Sequence, residues 1–172
     1  MANSDNSKVL FKGAPVTIEG PCLRVGGRMP KFKLTGSDLK DVTSSDFSGK
    51  VIVLSSIPSI DTPVCQLQTK AFNRAASDLS KDVAIITVSL DLPFAHKRWC
   101  AAEGVENLVM ASDYKYRTFG RDFGVFLPDL GLLSRAIFVA DRDGSIKHVE
   151  YVEEVGSEPD YNLALTKVRE LL

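Results

Sequence analysis

One cysteine of this sequence, Cys65, lies where its thiol could act as a nucleophile. Thr62 is a favourable N-cap residue and Pro63 suits the first helical position, so the pattern predicts a helix in which Cys65 is the third residue. The first N–H groups of a helix have no intrahelical partner, and the positive end of the helix dipole favours an anion. This position therefore favours the thiolate of Cys65, which is the nucleophilic form of cysteine.

The alternative for Cys65 is a packing role, because free cysteines are among the most buried residue types. The predicted helix carries an apolar stripe with helical spacing, formed by Val64, Leu67, Ala71, Phe72, Ala75 and Leu79. Cys65 lies one position off that stripe, toward Gln68 and Thr69. We therefore expect its sulfur near the edge of the buried face and not deep inside it.

The other two cysteines are isolated in the sequence. Cys100 follows the next predicted strand after Cys65, so their two helices could flank the same end of a sheet; alone, Cys100 is more typical of a packed helix residue. Cys22 lies in an N-terminal loop, and we interpret it as a spectator. The absence of a C-x-x-C pair and the solitary positions of His96 and His148 argue against a zinc site, so no metal or cofactor is expected.

The composition indicates one soluble domain that spans residues 1–172. A chain of 172 residues with 44% hydrophobic content is enough for a full core. The 21 Lys and Arg against 22 Asp and Glu form no basic stripe, so no nucleic-acid partner is expected. The N-terminus lacks the apolar core of a signal peptide, and no apolar run approaches the roughly 18 residues of a membrane helix. We expect a cytoplasmic protein that does not bind membranes.

The elements that must position Cys65 alternate between strands and helices from residue 50 onward. The predicted elements are strand 51–57, helix 63–79, strand 83–89, helix 94–102, a strand around 107–110, a helix around 114–123, strands 136–140 and 146–152, and a helix from Pro159 to about Leu172. Before them the pattern predicts a β-hairpin over 8–19 with its turn at Gly13-Ala14, a strand at 32–35, and a strand end that passes into a capped helical turn over 41–47.

This order predicts the fold class. An alternating β/α core that ends in a hairpin and a helix is the plan of a thioredoxin-like three-layer α/β sandwich, here with an N-terminal β-hairpin. Sites in such sheets form at the carboxyl ends of the strands. Cys65 follows directly after one of those ends.

The residues from Pro58 to Cys65 fit the P-x-x-x-T-x-x-C signature of the peroxiredoxins. Further stretches resemble the thiol peroxidase subfamily in particular, namely 91–95, 100–104, 133–136 and 158–161. The similarity runs from the N-terminal hairpin to the last helix. The sequence departs from the family at Ile57, where an aromatic residue commonly precedes the signature proline.

The resemblance implies specific roles. Cys65 would be the peroxidatic cysteine, which attacks the O–O bond of a hydroperoxide and becomes a sulfenic acid. Thr62 would hold the thiolate and the peroxide oxygen, and Pro58 would shield the sulfenic acid from water. Arg135, at the start of a predicted strand, would place a guanidinium beside the sulfur, and a fixed cation there stabilises developing charge. Cys100 would be the resolving cysteine, and thioredoxin would reduce the intrachain disulfide that it forms with Cys65.

The resemblance also implies a homodimer that reduces hydrogen peroxide and, preferentially, organic hydroperoxides. Two other functions stay open. One is a general thiol–disulfide oxidoreductase of the same fold, which the missing C-x-x-C pair disfavours. The other is a redox-sensing or chaperone-like binding protein in which a Cys65–Cys100 disulfide switches a surface. Turnover separates them, because a sensor is oxidised once whereas a peroxidase consumes peroxide continuously.

Overall fold

The computed structural model describes residues 5–172. The absence of a signal peptide is predicted from the polar segment 1–8, and the first half of that segment lies outside the described residues. The strands in chain order are β1 (Leu10–Phe11), β2 (Ala14–Pro15), β3 (Lys33–Gly36), β4 (Asp41–Thr43), β5 (Val51–Ser56), β6 (Val83–Ser89), β7 (Val109–Ser112), β8 (Phe126–Leu127), β9 (Leu132–Leu133), β10 (Ala136–Ala140) and β11 (Ile146–Tyr151). The α-helices are α1 (Pro63–Asp78), α2 (Pro93–Glu103), α3 (Phe119–Asp122) and α4 (Tyr161–Glu170), and a 3-10 turn covers Ser44–Phe47.

Seven strands form the central sheet in the order β11-β10-β5-β6-β7-β3-β4. β5, β6 and β7 are parallel, whereas β10 and β3 run antiparallel to their neighbours. Helices α1 and α4 cover one face around Phe72 and Val168, and α3 packs on the other face through Phe119. The predicted thioredoxin-like three-layer sandwich is therefore confirmed.

The central strands are buried on both faces, which explains their continuous apolar sequences. All six residues of β5 are buried. Val53 points toward α1 and α4, and its neighbour Leu54 joins the core on the α3 side. The carboxyl ends of β5 and β6 lead into α1 and α2, so both helices begin at the same edge of the sheet.

The N-terminal hairpin is confirmed, but it is shorter than the predicted 8–19. β1 pairs antiparallel with β2, and the turn lies at Lys12-Gly13 rather than Gly13-Ala14. Both turn residues have positive φ, 52° and 79°, as a tight hairpin turn of this kind requires.

The predicted helix over 114–123 is wrong in its first half, since α3 covers only four residues, Phe119–Asp122. Arg117 has a φ of 54°, which no right-handed helix contains. The carboxylate of Asp113 accepts the N–H groups of Thr118, Phe119 and Gly120 at 3.0–3.2 Å and so fixes where the helix can begin. A side chain several residues away sets this boundary.

The remaining differences are small. The strand predicted around 107–110 covers 109–112, and α4 begins at Tyr161 because the carboxylate of Asp160 caps the N–H of Leu163 at 3.0 Å. The short β8–β9 hairpin has no counterpart among the predicted elements. No helix within residues 5–172 is long and apolar enough to cross a membrane.

Candidate active site

The end of β5 and the start of α1 are joined by residues 57–61, here called the active-site loop. Thr62 is the N-cap of α1 with extended backbone, Pro63 is its first residue, and Cys65 is its third, as the sequence predicts. The Thr62 hydroxyl does not cap the helix; it donates to the carbonyl oxygen of Ser59 at 3.0 Å. The loop is therefore folded back on itself directly before Cys65.

The side chain of Cys65 is fully buried, with 0% of its surface exposed. The expectation that its sulfur lies near the edge of the buried face is therefore wrong. The buried residues of α1 are Cys65, Gln68, Thr69 and Phe72, whereas Leu67 of the apolar stripe is 52% exposed. Polar residues can occupy this face because they are hydrogen-bonded: the Thr69 hydroxyl donates to the Cys65 carbonyl oxygen at 2.8 Å.

Arg135 lies directly before β10, and its guanidinium group is buried beside the sulfur. Its Nη2 donates to Cys65 Sγ at 3.3 Å, and its Nη1 donates to Gln68 Oε1 at 2.6 Å. Its Nε donates to the carbonyl oxygen of Val155 at 3.0 Å. The Gln68 amide in turn donates to the hydroxyl of Ser55 at 2.7 Å. These contacts hold the guanidinium from α1 and from the segment at Val155, and Gln68 links it to β5.

The charge of Arg135 is not balanced by a carboxylate. Within residues 5–172 its hydrogen-bond partners are a sulfur, an amide oxygen and a backbone carbonyl, and it forms no salt bridge with an acidic side chain. A buried charge without a counter-charge is costly. Of these partners, only the Cys65 sulfur can carry a negative charge, and it lies within hydrogen-bond distance of the guanidinium.

Gln68 is the site residue that sequence reasoning missed. Its position three residues after Cys65 places it on the same side of α1, and that spacing is the signal that could have indicated it. Its amide both accepts from Arg135 and donates to β5, so it joins the guanidinium to the strand that precedes the active-site loop.

The sulfur of Cys65 is otherwise surrounded by apolar side chains. The cluster comprises Ile57, Ile60, Cys65, Trp99, Val105 and Met110, with Cys100 and Leu108 packed against it. Pro58 is buried as well. This environment excludes water from the sulfur, which strengthens its interaction with the guanidinium.

None of the three cysteines forms a disulfide within residues 5–172, and two of them belong to the same apolar cluster. Cys100 is half-buried on α2 and packs against the cluster that contains Cys65. Burial raises the pKa of the Cys100 thiol, so this group stays protonated at neutral pH. Cys22 packs against the core on the other face of the sheet, near Leu23, and is not part of the cluster around Cys65.

The sequence was compared with known proteins. The Redoxin family matches residues 24–165. A thiol peroxidase of Streptococcus sanguinis is 50% identical over 161 residues, which cover 94% of this chain and 98% of that protein. A thiol peroxidase of Streptococcus pneumoniae is 46% identical over 163 residues, covering 95% of this chain and 99% of its own.

Solved structures agree with this similarity. The crystal structure of a peroxiredoxin-like protein from Aquifex aeolicus is 39% identical with a TM-score of 0.90, and the match covers 96% of this chain and 97% of that one. A thiol peroxidase from Chromobacterium violaceum, 21% identical with a TM-score of 0.85 over 96% of this chain and 97% of its own, shares the fold. Identity at this level over nearly the whole of both chains, around a buried cysteine and its arginine, makes this chain a member of the Redoxin family and, within it, of the thiol peroxidases.

Proposed function

We propose that this thiol peroxidase reduces hydroperoxides with Cys65 as its peroxidatic cysteine. The observation that carries the proposal is the 3.3 Å contact between Cys65 Sγ and Nη2 of a buried guanidinium that has no carboxylate partner among residues 5–172. A metal or an organic cofactor has no part in the reaction that we propose.

In the first step the Cys65 thiolate attacks the terminal oxygen of the hydroperoxide. The S–O bond forms as the O–O bond breaks, and the products are Cys65–SOH and an alkoxide that takes up a proton to leave as the alcohol. Negative charge moves from the sulfur to the departing oxygen. Arg135 lies within hydrogen-bond distance of the sulfur and can follow that charge, which is the form of stabilisation that fixed donors supply best.

Pro58 and Thr62 supply the rest of the reaction pocket in this proposal. Pro58 is buried, and in this proposal it shields the sulfenic acid from water. The Thr62 hydroxyl, which now donates to Ser59, turns toward the peroxide when substrate enters. Because Cys65 is fully buried, the peroxide enters by a brief local opening and reacts once the active-site loop has closed around it again.

In the second step Cys100 resolves the sulfenic acid. The Cys100 thiol condenses with Cys65–SOH, one water leaves, and the two sulfurs form a disulfide. Support comes from the shared apolar cluster, which holds both helices at one edge of the sheet. Formation of the bond moves the Cys65 sulfur away from Arg135 and frays the first turn of α1, a local opening of the kind that small helical segments undergo readily.

The cycle closes when an external dithiol transfers two electrons to the disulfide, and we propose thioredoxin as that reductant. A reducing compartment such as the cytoplasm suits three cysteines that form no disulfide within residues 5–172. We further propose that the protein works as a homodimer; sedimentation at micromolar concentration tests this, and a monomer there would contradict it.

Turnover with thioredoxin, thioredoxin reductase and NADPH tests the proposed function. Continuous NADPH consumption is expected with cumene hydroperoxide or hydrogen peroxide. Cys65→Ser abolishes it, and Cys100→Ser permits one oxidation of Cys65 and then stalls. Cys22→Ser is the matched control and keeps the wild-type rate. Full activity of Cys65→Ser would overturn the assignment.

A further inference from the structure

One carboxylate outside the catalytic cluster, that of Asp91, fastens the active-site loop to the region between β6 and α2. Its Oδ1 accepts the hydroxyl of Ser59 at 2.8 Å, and its Oδ2 accepts the backbone N–H of Ile60 at 2.7 Å. The backbone of Asp91 is held in turn, because its carbonyl oxygen accepts the hydroxyl of Ser112 on β7. A single side chain thus ties the loop before Cys65 to a rigid part of the sheet.

The same carboxylate connects to the interior of α2. The hydroxyl of Ser89 donates to Asp91 Oδ2 at 2.7 Å and lies 2.7 Å from Nε2 of His96. The Ser89 hydroxyl therefore bridges the Asp91 carboxylate and the imidazole ring of His96. His96 is fully buried and precedes Cys100 by one helical turn, so the two residues lie on the same side of α2.

The charge on Asp91 makes these bonds strong. Burial acts to raise the pKa of the Asp91 carboxyl, but the nearby His96 ring and the hydrogen bonds from Ser89, Ile60 and Ser59 outweigh it and lower the pKa to about 2. The group is therefore a carboxylate at neutral pH. Hydrogen bonds to an ionised acceptor are about twice as strong as those between neutral groups.

The proposed function gives the Cys65 sulfenic acid two competing fates. A second hydroperoxide can transfer an oxygen to it, which yields Cys65–SO2H and an alcohol, or Cys100 can condense with it, which yields the disulfide and water. The first reaction uses the closed geometry seen here. The second needs the active-site loop and the first turn of α1 to leave their present positions, because the sulfur must exchange Arg135 for Cys100.

We infer that Asp91 is a positioning residue whose hydrogen bonds to Ser59 and Ile60 hold the active-site loop closed, and that it thereby sets how the sulfenic acid divides between a second peroxide and Cys100. The inference rests on the proposed function. Weaker bonds at Asp91 favour the open loop, so they favour resolution over further oxidation and disfavour the first peroxide reaction.

Asp91→Asn tests this in single-turnover experiments, since the amide keeps the shape of the side chain but loses its charge and one acceptor. Trp99 is the only tryptophan and is buried next to Cys100, so its fluorescence reports both steps. In Asp91→Asn we expect the peroxide-dependent phase to slow and the peroxide-independent phase to become about tenfold faster. The peroxide concentration that converts half of Cys65 to sulfinic acid, measured by mass spectrometry, rises by about the same factor.

Arg98→Ala is the matched control. It removes the Arg98–Asp61 ion pair, which joins the same loop to α2; its two side chains are 68% and 60% exposed. Exposed pairs contribute little, so both phases stay within about twofold of the wild type. Ser59→Ala removes a single bond to Asp91 and shifts both readouts in the same direction by about threefold; it serves as the test if Asp91→Asn does not give the wild-type circular dichroism spectrum.

Two results would overturn the inference. One is an unchanged resolution phase in a folded variant, and the other is an equal slowing of both phases, which marks general loosening of the site. Failure of the proposed function looks different, because the wild-type protein itself then shows no peroxide-dependent phase and no oxidation of Cys65.

Discussion

Replacement of Gln68 by leucine or by glutamate tests how the charge of Arg135 is used. Gln68 Oε1 accepts from Arg135 at 2.6 Å, and its amide donates to the Ser55 hydroxyl at 2.7 Å. Leucine removes both bonds inside the core. A hydrogen bond to a charged group contributes about 1.5–3 kcal/mol and a neutral one about 1 kcal/mol, so Gln68→Leu lowers the free energy of unfolding by about 3 kcal/mol. For a domain of this size the Tm falls by about 6–12 °C.

Gln68→Glu is expected to keep the stability of the protein but to lower the reactivity of Cys65. The carboxylate still accepts from Arg135, and the Ser55 hydroxyl turns to donate to it, so the Tm stays within about 4 °C of the wild type. The new negative charge, however, competes with the Cys65 thiolate for the same guanidinium. At about 5 Å and an effective dielectric constant of about 20, the repulsion between this carboxylate and negative charge on the sulfur is about 3 kcal/mol, which corresponds to a roughly 100-fold slower reaction of the sulfur as a nucleophile.

The assay is alkylation of Cys65 by iodoacetamide at pH 7 in a Cys22→Ser/Cys100→Ser background. Gln68→Glu is expected to react about 100-fold more slowly than its parent. Gln68→Leu keeps the charge and the sulfur contact of Arg135, so it slows by less than about tenfold despite its lower Tm. Equal rates for Gln68→Glu and its parent would refute the argument that the Arg135 guanidinium promotes the reaction of the sulfur. Equal slowing in Gln68→Glu and Gln68→Leu would refute it as well.

Two further predictions concern titration and local folding. Burial raises the pKa of the Cys100 thiol, so the thiol keeps its proton to higher pH in the folded protein than in the unfolded chain. The stability that this group contributes is therefore lost as the pH rises above the pKa of the thiol in the unfolded chain. Alkylation of Cys100 in a Cys22→Ser/Cys65→Ser background should need a higher pH in buffer than in urea, and coincident pH profiles would contradict this. Asp113→Ala removes the acceptor for three N–H groups at the start of α3, so it should lower the free energy of unfolding in urea by about 3 kcal/mol. Asp113→Asn keeps one acceptor oxygen and should lower it by about 1 kcal/mol. Equal losses in the two variants would show that the carboxylate does not cap the helix.

The elements that position Cys65 could be predicted because their signals are local. β5 is a continuous apolar run, and Thr62-Pro63 marks the start of α1 within two residues. The length of α3 could not be predicted in this way, because it depends on the side chain of Asp113 and on the positive φ of Arg117. Neither is visible in the apolar spacing of the segment.

The depth of Cys65 was mispredicted for a related reason. The sequence suggests that Gln68 and Thr69 face outward because they are polar, but Gln68 finds its partners on β5 and at the start of β10, 13 and 67 positions away. The contact between Arg135 and Cys65 spans 70 positions and could be expected only from the resemblance to the peroxiredoxins. Long-range hydrogen bonds of this kind decide which polar residues a helix buries.

The most direct test of the account is the pattern of linked peptides after one equivalent of cumene hydroperoxide is added to the reduced protein. Trypsin releases Cys22, Cys65 and Cys100 on the separate peptides 13–24, 51–70 and 99–115. Mass spectrometry is expected to show 51–70 joined to 99–115 by a disulfide, with 13–24 carrying a free thiol. Three free thiols, or a linkage through 13–24, would contradict the assignment of Cys65 as nucleophile and Cys100 as its resolving partner.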